Sequence, residues 1–428
     1  MNDSRVKIEV HLIQNFAASN LNRDDTGQPK STTFGGFRRA RISSQCSKRS
    51  TRRQGPMAEL LEQHGAVRTR HLIVDIARAL CGGDEPDEKT IETVAGVFEA
   101  GGLQRPARRG GKGQTQEAET AAEDDDGEAG EGAAEEAKNT TRILVFLDKD
   151  ALPKLVEVFR ANWDGLTKGT KKTKEATRDR VGTILFEAVK APDIALFGRM
   201  LEVKSNTPFG KYNMGVEAAC QVAHPISTHK VDMEMDFYTA VDDLNPEEET
   251  GAGMMGVVGF NSACYYRYAL VDRDQLARNL ARKTKRENGK CSEELTEADY
   301  AEADKVIQAF LEAMVYAIPT GKQHSFAAQN LPAFGLFVRR QGGVPISLAN
   351  AFARPVRPTK EDDDLVGLSV AALTKHWGAM EEVYGKQGVT VTACFHVQQE
   401  GRLNGLCGSD RKSVKRAIDA VMQAEKKP

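Results

Sequence analysis

The feature that most limits how this chain can fold is the charge distribution between Thr26 and Ala58, a span without a single acid. Its sixteen residues from Arg38 to Arg53 carry seven cations: Arg38, Arg39, Arg41, Lys48, Arg49, Arg52 and Arg53. Charge gathered this densely must meet water or an anion, and a phosphate backbone is the usual anion. Gly35-Gly36 permits a tight turn, and Ser43-Ser44 then offers an N-cap pair for a helix. On that helix Lys48 and Arg52 stand at i and i+4, as do Arg49 and Arg53, so the cations fall on adjoining faces. A capped helix start presents free N–H groups and a positive dipole end to a phosphate. A solvated basic helix is the plainer alternative.

The opposite extreme lies further on. Between Glu117 and Glu136 stand ten acids and no base; set against the overall formal charge of −2, they leave the remainder at +8. The tract is rich in Ala and Gly and follows a basic run, Arg105 to Gly113. Low hydrophobicity and block charge cannot build a core, so residues 102–139 read as a flexible insertion. Its acids either shield neighbouring cations or simply keep a loop solvated.

A chain of 428 residues has material for two or three domains, and 40% hydrophobic with 28% charged residues is ordinary for a soluble protein. No apolar run is long enough to span a bilayer, and the N-terminus lacks a signal-peptide core, so a soluble, cytoplasmic protein without a membrane partner is expected. The seven scattered cysteines (Cys46, Cys81, Cys220, Cys264, Cys291, Cys394, Cys407) contain no CxxC pair and fit free thiols in a reducing compartment.

Val6, Ile8, Val10 and Leu12 alternate with Lys7, Glu9 and His11, the period of a half-buried strand. Asn15 to Phe34 reads as a polar loop, and residues 57–190 as a mainly helical block. Strand character is expected at Asp193–Met200, near Val216–His229, and at Cys264–Asp272, Ala333–Arg340 and Val389–Val397. Helices are expected at Glu297–Ile318 and Ser409–Lys426, and the Gly- and Met-rich stretch Asn245–Gly259 reads as a projecting loop or ribbon. This alternation is the rhythm of a ferredoxin-like α+β core.

The motifs exclude more than they assign. TGKQH (Thr320 to His324) lacks the preceding Gly, the spacing and the Ser/Thr of a phosphate loop. The histidines show no metal-ligand spacing, so no metal and no cofactor are expected. Asp24-Asp25, next to a nucleic-acid groove, could hold Mg²⁺, but orienting Arg23 and its loop is the favoured role, and the same holds back a metal reading of Asp242-Asp243. Lys168, Lys171, Lys172 and Lys174 crowd the start of a helix, where cations are unfavourable unless a partner takes them or they only solubilise.

Several blocks carry a family resemblance: NLNRDD (Asn20 to Asp25), FGG, RARISSQCSKRS, DIALFGRM (Asp193 to Met200), AHPISTHKVDMEMDFYTAVDDL (Ala223 to Leu244), YYRYA, GKQHSFAA and PISLANAF (Pro345 to Phe352). In this order they resemble CasC, the backbone subunit of type I-E CRISPR Cascade complexes. The resemblance implies an RRM-like palm (residues 1–56 and 191–428), an inserted helical fingers domain (57–190) and a projecting thumb (232–262). It implies copies polymerised head to tail along a guide crRNA, with target DNA and other Cascade subunits as further partners. Carried over by position, Arg23, Gln45, Lys48, Arg49 and Arg52 would grip guide phosphates, joined by Arg38 and Arg41 of the same basic run and by Lys322. Met200 would wedge into the strand, with an ordinary core methionine as the alternative, and Tyr238, Thr239 and Met255 would be thumb contacts. The lysines from Lys168 to Lys174 would touch target DNA. No catalytic residue is implied; the alternatives are a metal-dependent RNA endonuclease like type III backbone subunits, with Asp24 or Asp25 as the cutting residue, and a stand-alone RNA-binding protein.

Overall fold

The alternation that begins at Val6 marks the central strand of the molecule. In a computed structural model, the structure describes residues 5–105, 140–201, 203–212, 214–240, 254–281, 286–287, 290–291, 294–397, 400–403, 406 and 413–423. In chain order the strands are β1 (Val6–Ser19), β2 (Ser31–Phe34), β3 (Phe37–Ala40), β4 (Ala66–Thr69), β5 (Val145–Asp148), β6 (Cys220–Val222), β7 (Ile226–Ser227), β8 (Glu234–Ala240), β9 (Met254–Asp272), β10 (Arg286–Glu287), β11 (Lys290–Cys291), β12 (Phe334–Gln341) and β13 (Val389–His396). The chain divides into two compact units, residues 1–58, 220–274 and 304–428 in one, and residues 59–219 and 275–303 in the other. Residues 191–219 and 275–303 thus group with the helical block rather than with the main sheet.

The first unit is built on the sheet order β13-β12-β1-β9-β6, with β7 and β8 also pairing to β9. Every neighbour is antiparallel, and Val10 of β1 faces Phe337 on one side and Ala269 on the other. Helix Leu365–Tyr384, in a segment to which the sequence patterns assign nothing, covers one face through Val370, Leu373 and Trp377. On the other face Arg267 donates to the Met314 carbonyl (2.7 Å) of helix Glu297–Tyr316, and Arg339 to the Val421 carbonyl (3.0 Å) of helix Val414–Met422.

β1 is therefore buried on both faces from Val6 to Gln14, not half-buried. Its polar face is an internal layer of hydrogen bonds that leaves only His11 Nε2 and Arg340 Nη2 without a partner among the groups named below. Glu9 accepts from Arg340 Nε (2.6 Å), Tyr268 Oη (3.1 Å) and the Ile346 amide (2.6 Å). Burial nevertheless pushes its carboxyl up from the usual range. His11 Nδ1 lies 2.9 Å from Tyr266 Oη, which itself accepts the Leu348 amide and so has its own proton to give to the ring. Burial, with the nearby Arg340 charge, lowers the His11 pKa to about 3.

The second unit packs helices Leu72–Leu80, Glu88–Gly101, Ala151–Thr167 and Lys171–Glu187 around Phe98 and Phe159, whose rings stack at 6.1 Å. A side chain at Gly101 or Gly182 would run into the Phe209 ring, so both glycines make room for it. β4 pairs with β5. Asp193–Met200 is not a strand: Pro192 at the first turn and Gly198 at φ 81° bound a helix, Pro192–Phe197. Six apolar-rich residues fit a buried strand or a buried helix turn equally, so their pattern cannot choose. The expected insertion also starts later than its composition implies. Leu103 is buried in the helical core, and Arg105 is gripped by Glu92 (2.8 Å) and Glu99 (2.7 Å); residues 106–139 lie outside the described residues. Cys394 stands in a disulfide, against the expectation of free thiols throughout, whereas Cys46, Cys81, Cys220 and Cys264 are free. Among the described residues no helix is long and apolar enough to cross a membrane.

The buried histidine makes stability depend on pH. Its folded pKa lies below the unfolded value of 6.5, so the unfolded chain binds more protons in between, and the contribution is full above pH 6.5 and lost as pH falls towards 3. Glu9, shifted upward, acts with the opposite sign at mildly acidic pH, so the test is differential. Thermal or urea melts of wild type and His11→Asn at pH 7.5 and 5 should show wild type losing about 2 kcal/mol more than the variant. Parallel losses would mean that His11 titrates normally in the folded chain.

Candidate nucleic-acid interface

The basic segment and the loop before it are held as one piece. Asp24 Oδ1 accepts from Thr26 N (3.0 Å), Thr26 Oγ1 (2.7 Å) and Gln28 N (3.0 Å), closing a turn over Gly27 at φ 78°. These bonds, the Thr26 hydroxyl first, hold its carboxyl below the usual range. Asp24 thus orients the loop through its own turn. Asn22 Oδ1 accepts the Ser43 amide (2.7 Å), and Ser43 Oγ in turn accepts the Cys46 amide (3.1 Å) as N-cap of helix Ser44–Arg52. The Arg23 loop is therefore tied to the helix start. Ser47 and Thr51 face inward on that helix; Gln45 and Arg49 are exposed, and Lys48 and Arg52 half-buried. The helix has no acid in its first turn, and Arg49 and Arg52 fall in its last, where the dipole favours them.

Two further elements meet the same corner. Asn20 Nδ2 donates to the carbonyls of Gly27 (3.0 Å) and Gly259 (2.9 Å), joining the loop to the root of the β8–β9 ribbon. A side chain at Gly321 would lie 2.4 Å from the Leu21 carbonyl oxygen, so the loop carrying Lys322 presses on the Asn20–Leu21 backbone. Lys322 itself is exposed at φ 49°, a left-handed conformation costly for a residue with a Cβ. Phe326 beyond it packs on Phe260 of the ribbon root at 5.7 Å. Arg23, the basic helix, Lys322 and the ribbon root thus share one corner of the first unit.

Not every cation counted in the sequence belongs to this surface. Arg39 is fully buried, donating to the carbonyls of Ser227 (2.9 Å), Phe352 (2.7 Å) and Ala353 (3.3 Å), and burial lowers its pKa. Arg38 is exposed on the opposite face of the β2–β3 hairpin, with Nε on Ser31 Oγ (3.3 Å). Arg41 is half-exposed, its Nη1 3.1 Å from His224 Nδ1. His229 is structural: Nδ1 donates to the Lys230 carbonyl (2.8 Å) and Nε2 accepts the Cys264 amide (3.2 Å). Among the described residues no three His, Cys, Asp or Glu side chains stand where they could hold a metal together.

The ribbon register divides the expected thumb contacts. Phe237 faces Val257 and Thr239 faces Met255, so Met235, Phe237, Thr239, Met255 and Val257 share one face. Phe237 and Met255 are 60% and 63% exposed there. Tyr238 lies on the other face with Glu234 and Asp236, its ring over Gly256. Asp242, Asp243 and Glu247 to Glu249 lie outside the described residues.

In the second unit Met200 is 82% exposed, which removes the core-methionine alternative. It follows Arg199, a buried guanidinium that donates to the carbonyls of Met214 (2.9 Å), Phe146 (3.2 Å), Ala188 (3.4 Å) and Leu185 (3.0 Å). Lys168, Lys171, Lys172 and Lys174 are all exposed, at the end of helix Ala151–Thr167 and the start of helix Lys171–Glu187.

Charge counting overlooked a second acid-free stretch, longer than the first, from Ala313 to Lys360. The two stretches meet at Gly35, where a side chain would lie 1.9 Å from the Ala353 carbonyl oxygen, and at Gly321 the second presses on Leu21, just ahead of the first. The second brings Arg354 and Arg357 to the surface beside the β2–β3 hairpin, and Arg357 stacks over the Phe37 ring at 5.8 Å.

With this geometry in hand, the comparisons are specific. The sequence profile of the CT1975-like protein family matches residues 8–423. The chain belongs to that family. Its fold is similar to a chain of a CRISPR RNA-guided surveillance complex described as pre-nicking, with a TM-score of 0.75 and 26% identity over 98% of this chain and 99% of that one. A chain of another CRISPR RNA-guided surveillance complex shares the fold at a TM-score of 0.56 and 22% identity, with the same coverage. No curated protein matches by sequence.

The division between structural and surface arginines is measurable. Arg39→Ala strands three carbonyls in the interior and should lower unfolding free energy by about 3 kcal/mol or more. Arg49→Ala, on the exposed face, should change it by no more than about 0.5 kcal/mol. Equal effects in denaturant melts would overturn the distinction.

Proposed function

We propose that this chain is a non-catalytic backbone subunit of a CRISPR RNA-guided surveillance complex of the type I-E, CasC-like kind, a cytoplasmic protein polymerising head to tail along a guide crRNA. The observation that carries this reading is the convergence of the Arg23 loop, the basic helix, Lys322 and the ribbon root on one corner. Taking β1, β6, β9 and β12 as the core strands, the sheet order is fourth, first, third, second, as in a ferredoxin-like, RRM-like palm. Family membership and the likeness to surveillance-complex chains support the same assignment.

The mode of binding follows from burial. An RRM uses aromatic residues on its open sheet face to stack bases. Here Tyr265, Tyr266 and Tyr268 are buried, and helix Leu365–Tyr384 covers a face of the sheet. Contacts then fall to loops and the basic helix, which read phosphates and not base identity. Arg23, Arg38, Arg41, Gln45, Lys48, Arg49, Arg52 and Lys322 are the phosphate-facing set. The ribbon is the thumb, with Thr239 and Met255 towards the strand and Tyr238 on the reverse. Lys168, Lys171, Lys172 and Lys174 take target DNA. The non-catalytic assignment rests on Asp24, whose carboxylate is engaged in its own turn.

Purified protein should carry RNA of one length, and Lys48→Ala/Arg49→Ala/Arg52→Ala should strip it of that RNA while melting unchanged. The loaded assembly should leave complementary RNA whole in Mg²⁺ or Mn²⁺. RNA of random length would point to a stand-alone binder; regular cuts abolished by Asp24→Ala or Asp25→Ala would make the chain an endonuclease.

Met200 is assigned as the wedge. A mobile, uncharged thioether can seat against a displaced base without desolvating a charge. Met200→Ala should leave the melting temperature within about 2 °C, since so exposed a side chain contributes little burial. It should blunt the periodic chemical reactivity of bound RNA bases. Unchanged periodic reactivity would remove Met200 from the strand path.

A further inference from the structure

The segment from Ala353 to Arg357 takes no part in the corner described above, yet it is built like a binding element. Its backbone is pinned at both ends: Arg39 holds the carbonyls of Phe352 and Ala353, and the Val356 amide donates to the Thr228 carbonyl at 3.0 Å. The tip of the β2–β3 hairpin presses on it so closely that only glycine fits at position 35, where φ is +59°. Arg354, between these anchors, and Arg357, just past the second, are exposed, and neither forms an ion pair with a described residue. Pro355 and Pro358 stiffen the stretch, so little entropy is left to lose when its side chains bind.

The Arg357 guanidinium carbon stands over the Phe37 ring, 5.8 Å from its centroid. Contact with a ring face leaves a guanidinium its planar N–H fork, and that fork matches a phosphate. The nearby acids do not neutralise it. Asp362 is taken by Arg402 at 2.7 Å, and Asp364 caps its helix through the Gly367 amide at 2.9 Å. Glu361 and Asp363 are exposed next to Lys360, which is why Lys360 is left out of the site. From Phe37 the four residues of β3 lead towards the start of the basic helix, a span of about 10 Å at strand rise.

We infer that Arg354 and Arg357, with Phe37 as the support for Arg357, form a second phosphate-binding site, one β-strand's length from the basic helix. The ligand is the backbone of a single-stranded nucleic acid. This rests on the proposed function and extends it, because the guide RNA and the strand paired to it are both sources of such phosphates.

The test uses full-length Arg354→Gln/Arg357→Gln beside wild type and Lys48→Ala/Arg49→Ala/Arg52→Ala. Binding of a labelled single-stranded RNA of mixed sequence, and of its complementary DNA to the RNA-loaded protein, is titrated against salt. Two lost phosphate contacts should flatten the slope of log affinity against log salt by about 1.4, at about 0.7 each for single strands. Flattening in the RNA arm establishes the site on the guide; flattening in the DNA arm alone establishes it on the target strand. Arg357→Lys should retain most of the slope, because charge and not packing is at issue. Slopes unchanged in both arms, while the basic-helix variant flattens its own, would overturn the second site and leave the proposed function standing. Slopes unchanged for both variants would overturn the proposed function and the second site together. A fall in melting temperature with Arg357→Lys as damaging as Arg357→Gln would make Arg357 a packing residue and also overturn the site.

Discussion

Buried guanidinium groups that gather main-chain carbonyls are the interaction on which both units depend. Arg39, Arg199, Arg267, Arg339 and Arg340 are all nearly or wholly removed from solvent. Removing such a charge from water is costly, and for Arg267 burial lowers the pKa to about 10. The compensation is geometric: five donors in a rigid fork can gather carbonyls from segments that share no ladder. Arg39 joins β3 to Ser227 and to Phe352–Ala353, and Arg199 collects four carbonyls beneath exposed Met200. The Phe352–Ala353 segment and Met200 thus each stand beside a buried cation whose donors are turned to carbonyls.

Burial of β1 on both faces has a second consequence. With helix Leu365–Tyr384 on one side and helices Glu297–Tyr316 and Val414–Met422 on the other, the central strands are covered on both faces among the described residues. The loops gather at the end of the sheet where β1 finishes at Ser19 opposite Asn261. There the Arg23 loop, the ribbon and the Lys322 loop all emerge, and Asn20 ties two of them together. Loops carried on a rigid sheet can hold a curved, charged strand in register without themselves being packed in a core.

The sequence was most legible where one local rule acts alone. Ser43 caps the basic helix as its position implies, and the strand and helix starting at Val6 and Glu297 follow their periods. It was least legible where a distant partner reverses a local preference. Glu9 and His11 look like solvent-facing residues until Arg340, Tyr268 and Tyr266 are placed opposite them. Arg39 counts as one more surface cation until three carbonyls enclose it. Asp193–Met200 carries a pattern too short to separate strand from helix, and Pro192 with Gly198 decides it. The acid-free stretch from Ala313 to Lys360 was visible in composition, but its cations are sparse, and only folding brings Arg357 onto Phe37.

The ribbon shows the same logic in two dimensions. Tyr238 and Thr239 are adjacent in sequence and share a family motif, yet the pleat sends them to opposite faces. Glu234 and Asp236 stand with Tyr238, so phosphates approaching that face meet two carboxylates. Unlike-charge attraction from the basic helix does not remove this penalty, because it acts at another position and falls off over a Debye length of about 8 Å. The opposite face, with Met235, Phe237, Met255 and Val257, carries no formal charge among its described residues and offers apolar surface to an unstacked base. Register, not proximity along the chain, therefore sorts the ribbon's residues into an acidic face with Tyr238 and an uncharged face with Thr239 and Met255.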